Sequence, residues 1–382
     1  LICHERFLFR FGADRVFIII GERLARLGHK VTMMAADFDR ELIEPFAHEI
    51  VRMPMASRYE RADEFASRWV ECQFAPARAE EPKFDLIIHG GWPLFGATAT
   101  FRSMANQVLF MDHGVVPTEG YPPFQTMVLN KLVQLRREHL SECNLVAAVS
   151  RFVGDSQTNV DTGGRVPLRV LLNGTDHLEP DQPSKAEALG PEIDAVRELG
   201  RNHDLILNLG RFESGTYKNS QAAVSAFELI RSARPNARLL ILESAENLKI
   251  PGHQSEGIIP LGFPNDATLA AIIQEVDAGI SLSQWEGFNL PLVELLRAKI
   301  PAFALRIGAH PEVVPDSYFL NDDVPSLAAR VLQHLEDPAK ARNILHSTAT
   351  AAHWDYLTWD RFVSELLEFL AEHSPTNLVS SA

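Results

Sequence analysis

Two carboxylates, Glu286 and Glu294, bracket the run Gly287-Phe288-Asn289-Leu290-Pro291-Leu292-Val293, in which a glycine turn opens onto a helix. Pro291 suits a first helical position, Leu292, Val293, Leu295 and Leu296 supply an apolar face, and residues 276–283 before them read as a buried strand. Main-chain amides at such a helix start point at anions, so a phosphate is expected there. Glu286 in the loop and Glu294, about one turn inside the helix, would accept hydrogen bonds from hydroxyl groups of the same ligand. Taken alone, the pair reads equally well as an acid at a helix start and a solvated helical acid. A second cluster shifts the balance: a strand over 205–209 runs into Gly210-Arg211, and Lys218-Asn219 precedes a helical pattern over 221–231. Arg211 offers a planar fork of donors and Lys218 a compact charge, which together would neutralise a departing diphosphate.

These groups need elements to hold them. A chain of 382 residues exceeds what one hydrophobic core supports, so two domains of roughly 180 residues are expected. Helical spacing over 14–27 stops at Gly28-His29 and turns into a strand over 30–35, and further short apolar runs at 85–88, 107–111 and 145–149 are separated by helical stretches. The second half repeats the alternation, with strands over 204–209, 238–243, 257–261, 277–283 and 302–305 and helices over 220–231, 266–275 and 291–298. Both halves therefore predict doubly wound α/β domains, whose ligands bind outside the carboxyl ends of the strands. The expected division is 1–175, 176–352 and a closing segment 353–382, helical over 354–370, that crosses back to the first domain with Trp354, Tyr356, Trp359 and Phe362 to pack. Pro180, Pro183, Ser184 and Pro191 mark the linker.

Composition bounds the function. Hydrophobic residues at 46% and charged residues at 23% are globular values, and a net charge of −14 argues against nucleic acid as a partner. Cys3, Cys72 and Cys143 lack paired or metal-ligating spacing, so no structural disulfide is expected. Apolar stretches such as 16–20 are too short to span a bilayer and no secretory leader is visible, which reads as a cytoplasmic protein. Leu1 within an apolar start leaves open that the chain is a fragment of a longer polypeptide.

The chain resembles the retaining, nucleotide-sugar-dependent glycosyltransferases of the GT-B type, the group 1 or family four enzymes. The resemblance covers nearly the whole chain. It is carried by Gly210-Arg211 with Lys218-Asn219, the block from Glu286-Gly287-Phe288 to Glu294, Gly308-Ala309-His310-Pro311-Glu312, Phe11-Gly12, Gly28-His29-Lys30, Val149-Ser150-Arg151 and Asn173-Gly174-Thr175-Asp176. It implies two Rossmann-like domains facing across a cleft. In it Arg211 and Lys218 bind the donor diphosphate, Glu294 the ribose and Glu286 a hydroxyl of the transferred sugar, with Gly287 at the donor and amides from Phe288, Asn289 and Leu290. His113, in Met111-Asp112-His113-Gly114, is similar to the histidine that such enzymes place beside the reacting sugar, and Gly12 to part of their first glycine loop. The chain departs from the family in having one glycine in that loop, about two extra residues between Arg211 and Lys218, and asparagine at 289 where glycine is common.

The reaction implied is transfer of a hexose or deoxyhexose from a nucleoside-diphosphate sugar to a saccharide or lipid-linked acceptor, with retention, for polysaccharide or glycoconjugate synthesis. Two side-chain cations and a helix start replace a metal, so no cofactor and no metal is expected. Asp37-Phe38-Asp39 matches a metal-binding acidic triplet but reads as a solvated turn. A hydrolase using the two glutamates gives Arg211 and Lys218 nothing to bind. A sugar-nucleotide epimerase on the same scaffold and a non-catalytic nucleotide-sugar-binding protein both stay open. The punctuated loop 114–123 is the candidate for acceptor contact, and the helix over 127–140, with Lys131, Arg136 and Arg137, reads either as ordinary amphipathic or as a peripheral contact at the inner face of a membrane.

Overall fold

The computed structural model describes residues 1–8, 11–56, 58–74, 83–119, 121–178, 189–212, 216–247 and 256–374, so Pro180, Pro183 and Ser184 lie outside the described residues. Two compact units are present: Leu1–Asn173 with Trp359–Ala382, and Gly174–Thr358.

The first unit is built on strands β1 (Ile2–Cys3), β2 (Arg6–Phe7), β3 (Thr32–Ala35), β4 (Asp37–Phe38), β5 (Glu49–Arg52), β6 (Phe84–His89), β7 (Ala105–Asp112), β8 (Leu145–Ala148) and β9 (Leu168–Val170). Seven of them form one sheet in the order β5-β3-β1-β6-β7-β8-β9, and β2 pairs with β4 alone. All pairings are parallel. Every residue of β3 and β8 is buried, the pattern of strands covered on both faces. The strand order reverses between β1 and β6, a topological switch point, and the helix Gly12–Arg26 starts after β2 in the segment that follows β1. Cys3, Phe101, Val108, Phe110 and Leu140 lie in one core cluster; Cys3 and Cys143 are buried free thiols and Cys72 an exposed one.

The sheet of the second unit has strands β10 (Leu205–Asn208), β11 (Arg238–Ile241), β12 (Ile258–Pro260), β13 (Ala278–Ser281), β14 (Ala302–Leu305) and β15 (Leu320–Asn321), all parallel, in the order β12-β11-β10-β13-β14-β15. Its order reverses between β10 and β13. The segments leaving those two strands are the ones that carry Gly210-Arg211 and Glu286. The helix Leu290–Arg297 packs closely on β13 because Gly279 has no side chain: a Cβ there would lie 2.5 Å from Leu295 Cδ1.

One expectation is corrected. The closing segment is not one helix over 354–370 but two, Thr348–Tyr356 in the second unit and Trp359–Glu372 in the first. The break falls at Leu357-Thr358, where the Leu357 carbonyl accepts from Thr175 N at 3.0 Å and from Thr175 Oγ1 at 3.1 Å instead of continuing a helix. The helix Trp359–Glu372 buries Trp359, Phe362, Leu366 and Phe369 in the first unit, and Gln107 Nε2 donates to its Leu370 carbonyl at 3.1 Å.

The helix Pro123–His139 turns part of its positive charge inward. Arg136 is 1% exposed and forks onto both carboxylate oxygens of Asp112 at 2.6 Å, with its Nε on Asp161. Lys131 meets Asp63 at 2.6 Å and Arg137 meets Asp161 at 3.2 Å. Arg136 and Lys131 are thus paired within the unit, while the side chain of Arg137 is 65% exposed. Among the described residues no helix is long and apolar enough to cross a membrane.

Candidate functional site

The site of the second unit forms where the segment after β10 is laced to the segment after β13. Gln284 N donates to the Tyr217 carbonyl at 2.8 Å, Asn219 Nδ2 donates to the Leu282 carbonyl at 3.1 Å, and Trp285 meets the Tyr217 ring edge-on at 5.9 Å. Asn219 adopts a left-handed backbone (φ 53°) that turns the chain into the helix Ser220–Ala233, and asparagine tolerates that conformation better than most residues. Lys218 is thereby aimed at Glu286, Nζ to Oε1 at 2.7 Å, with side-chain exposures of 12% and 6%. Burial alone would lower the Lys218 pKa, and the Glu286 carboxylate more than offsets this, so the ammonium is held above its ordinary value. Arg211 lies near enough to oppose that charge, and its guanidinium reaches the Tyr217 hydroxyl at 3.5 Å. The expected division of labour, Lys218 on phosphate and Glu286 on sugar, is therefore physically one ion pair. Residues 213–215 between the two cations lie outside the described residues.

Asn289, expected to lend an amide, has structural work for its side chain as well. Its left-handed backbone (φ 76°) opens the helix Leu290–Arg297, its Oδ1 caps Leu292 N at 3.3 Å, and its Nδ2 donates to Ser281 Oγ at 2.9 Å and to His310 Nε2 at 2.8 Å. His310, fully buried, donates from Nδ1 to the Leu305 carbonyl at 2.6 Å; these partners fix one neutral tautomer, and burial lowers its pKa. With Asn289 capping Leu292, the N–H groups of Gly287, Phe288, Asn289 and Leu290 donate to no group among the described residues. Gly308 backs the loop: a Cβ there would lie 2.4 Å from the Glu286 carbonyl oxygen, its φ is +51°, and Ala309 N donates to that carbonyl at 3.0 Å. Glu294, on the same helix, accepts from His177 Nε2 at 2.9 Å, both side chains 8% exposed.

The first unit holds the remaining predicted residues. Gly12 is the opening residue of the helix Gly12–Arg26, with Phe11 before it. His113 follows β7 and packs edge-on against Phe17 at 5.5 Å. Its Nε2 is shielded and has no hydrogen-bond partner, and burial, helped by His4 and opposed by Asp112 and Asp14, holds its pKa down to about 4. It is a neutral imidazole near pH 7. Its turn is pinned: Asp112 Oδ1 accepts from Gly114 N at 2.8 Å, and Val115 exchanges two hydrogen bonds with Gln157. Asp37 lies in β4 and Asp39 precedes the short helix Arg40–Ile43. In the expected acceptor loop, residue 120 lies outside the described residues.

Two side chains enter the second unit's site that residue spacing did not single out. His310 sat inside a quoted motif without a role, and His177 directly follows another, Asn173-Gly174-Thr175-Asp176. Each reaches its partner across a long sequence separation, His177 across 117 residues.

Comparison with known proteins bears on the same segments. A model described as glycosyl transferases group 1 matches residues 203–337, and one described as Glycosyltransferase Family 4 matches 12–177. The chain is 32% identical over 79 residues to the O-antigen chain mannosyltransferase B of Escherichia coli, covering 20% of this chain and 21% of that protein. It is 30% identical over 122 residues to the MMP alpha-(1->4)-mannosyltransferase of Mycolicibacterium hassiacum, covering 31% of this chain and 28% of that one. The matched stretch thus spans under a third of either relative's length. Among solved structures, sucrose-phosphate synthase from Thermosynechococcus elongatus superposes with a TM-score of 0.73 over 100% of both chains at 16% identity, a likeness of fold.

Proposed function

Because the chain belongs to the group 1, family 4 glycosyltransferases and has their GT-B architecture of two Rossmann-like domains, we propose that it moves a hexose or deoxyhexose from a nucleoside-diphosphate sugar to a saccharide or lipid-linked acceptor, with retention of anomeric configuration. The observation that supports this reading best is the buried Lys218–Glu286 pair, beside Arg211 and at the mouth of the helix that carries Glu294. An ammonium has three N–H donors and Glu286 takes one, so Lys218 keeps donors for a phosphate oxygen. Glu286 keeps Oε2 to accept from a sugar hydroxyl. A paired lysine and carboxylate in low dielectric suit a ligand that brings an anion to one and a hydroxyl to the other.

Chemistry at an anomeric carbon with a diphosphate leaving group needs charge stabilisation on the departing oxygen more than a strong acid. Lys218, Arg211 and the unengaged amides of 287–290 supply it, and each preorganised donor is worth on the order of 3 kcal/mol in such sites. No metal is needed in this scheme. Gly12 and His113 enter the proposal on the family resemblance, the neutral ring of His113 suiting a hydrogen bond to sugar rather than an ion pair. The loop 114–123 is assigned to the acceptor.

Titration calorimetry against UDP-, GDP-, ADP- and dTDP-sugars tests the reading, repeated with Glu294→Ala. One donor class should bind and the variant should lose most of its heat; equal heats for parent and variant remove Glu294 from the ribose. NMR of the product made with the productive donor should show the donor's anomeric configuration kept.

A further inference from the structure

The ribose carboxylate is not left to choose its own rotamer. His177 Nε2 donates to Glu294 Oε1 at 2.9 Å, and both groups lie in a nearly dry environment. His177 sits on the 3-10 turn Asp176–Leu178, which is itself held in place. Thr175 N and Oγ1 both donate to the Leu357 carbonyl, and Arg297 Nη1 donates to Thr175 Oγ1 at 3.2 Å and to the Trp354 carbonyl at 2.8 Å. Arg297 stands three residues after Glu294 on the same helix, so the two side chains share a face and the helix grips the turn at two points. The turn that carries the imidazole is therefore held from behind, and its Nε2–H orients the carboxylate oxygen it touches.

A carboxylate offers about four acceptor positions. With one lone pair of Oε1 given to His177 and the side chain 8% exposed, the rotamers open to the carboxylate are restricted, and so are the directions of the positions that remain on Oε2 and the second side of Oε1. A vicinal diol needs two acceptors at fixed separation and direction; a single hydroxyl needs one. We propose that His177 is the positioning residue that makes Glu294 selective for the vicinal hydroxyls of ribose, and hence that the donor is a ribonucleoside rather than a deoxyribonucleoside diphosphate sugar. The proposal rests on Glu294 contacting the ribose, as assigned above.

The test is a cycle of calorimetric titrations with UDP, GDP, ADP and dTDP and their 2′,3′-dideoxy counterparts, on the parent, His177→Phe and His177→Gln. Phenylalanine keeps the ring without its proton, and glutamine places an N–H close to where Nε2 lies. For the nucleotide that the parent binds, His177→Phe should weaken binding roughly tenfold while the dideoxy counterpart changes by less than about twofold, because only the ribose form uses the oriented carboxylate. His177→Gln should recover most of the ribose preference. Equal weakening of both nucleotides by His177→Phe, or no weakening, in a parent that does prefer ribose overturns this inference alone. The cycle is run with the nucleoside diphosphate of whichever donor class the parent binds, and a parent that shows no ribose preference there overturns the ribose role of Glu294 and this inference with it.

Discussion

In the proposed role Lys218 has two demands on it at once, since its buried ammonium must be compensated within the fold and still face an incoming anion. Glu286 supplies the compensation, and removing either partner would leave a charge stranded in a medium where unpaired ions are costly. Lys218→Ala is expected to lower transfer roughly a hundredfold in kcat. Transfer by the parent should persist in EDTA, because side-chain cations carry the load; abolition by chelator, or an unimpaired Lys218→Ala, would refute the scheme. The histidines make a prediction about stability. Burial lowers the pKa of His89 from 6.5 to about 3, and that of His113 to about 4. Below pH 6.5 the unfolded chain takes up a proton on each ring and the folded chain does not, so unfolding binds protons and stability falls as pH drops from 6.5 towards 4. Each ring contributes a slope of roughly 1.4 kcal/mol per pH unit in that window and nothing above it. Urea unfolding of the first unit at pH 7, 6 and 5 should therefore show a shallower decline for His89→Phe than for the parent; parallel declines would contradict it. At this scale the sequence was legible where chemistry and local spacing coincide, as at Glu286 in its loop and Glu294 in its helix. It was silent on His177 and on the side chain of Asn289, whose partners Glu294 and His310 are brought to them by sheet topology rather than by neighbouring residues.

The element that organises the second unit is the helix Leu290–Arg297, short, almost wholly buried, and seated on β13 at Gly279. Its approach is set from the other side by Gly308, whose backbone touches that of Glu286. Gly308→Ala would press a Cβ into the Glu286 carbonyl at a positive φ, so the loop must move. We expect this variant to lose at least tenfold in donor affinity by calorimetry for about 1–2 kcal/mol of stability, a disproportion that a general packing defect would not give. Most strands and helices could be read from apolar periodicity because the sheets are buried on both faces and their strands are near-continuous apolar runs. Elements decided by distant contacts could not. The break at Leu357-Thr358 carries no proline or glycine; it exists because Thr175 takes the Leu357 carbonyl. Likewise Arg136 looked like part of a basic helix face, and only the fold brings Asp112 and Asp161 around it.

At the scale of the whole molecule, the chain passes from the first unit to the second at Asn173-Gly174 and returns at Thr358-Trp359. The returning helix is a full member of the first core: Trp359, Phe362 and Leu366 have no exposed surface, and Val363 and Phe369 only 2%. At about 1.5–3 kcal/mol for each such side chain, these five represent on the order of 10 kcal/mol, comparable with the entire stability of an ordinary domain. A chain ending at Thr358 should keep the calorimetric melting transition of the second unit and lose that of the first; two retained transitions would show the helix to be an accessory. Alternation of strands and helices announced two α/β units, and the aromatic closing segment was expected to return to the first of them; that its first helix stays with the second unit was not readable from a local pattern. The same connectivity orders events during synthesis. On the ribosome, residues 174–358 must all be made before the last piece of the first core emerges, a delay of roughly 10 to 40 s at ordinary elongation rates. Through that interval the amino-terminal sheet waits with the seat of its final helix uncovered, a hydrophobic surface open to chaperones, while the second unit can already have closed.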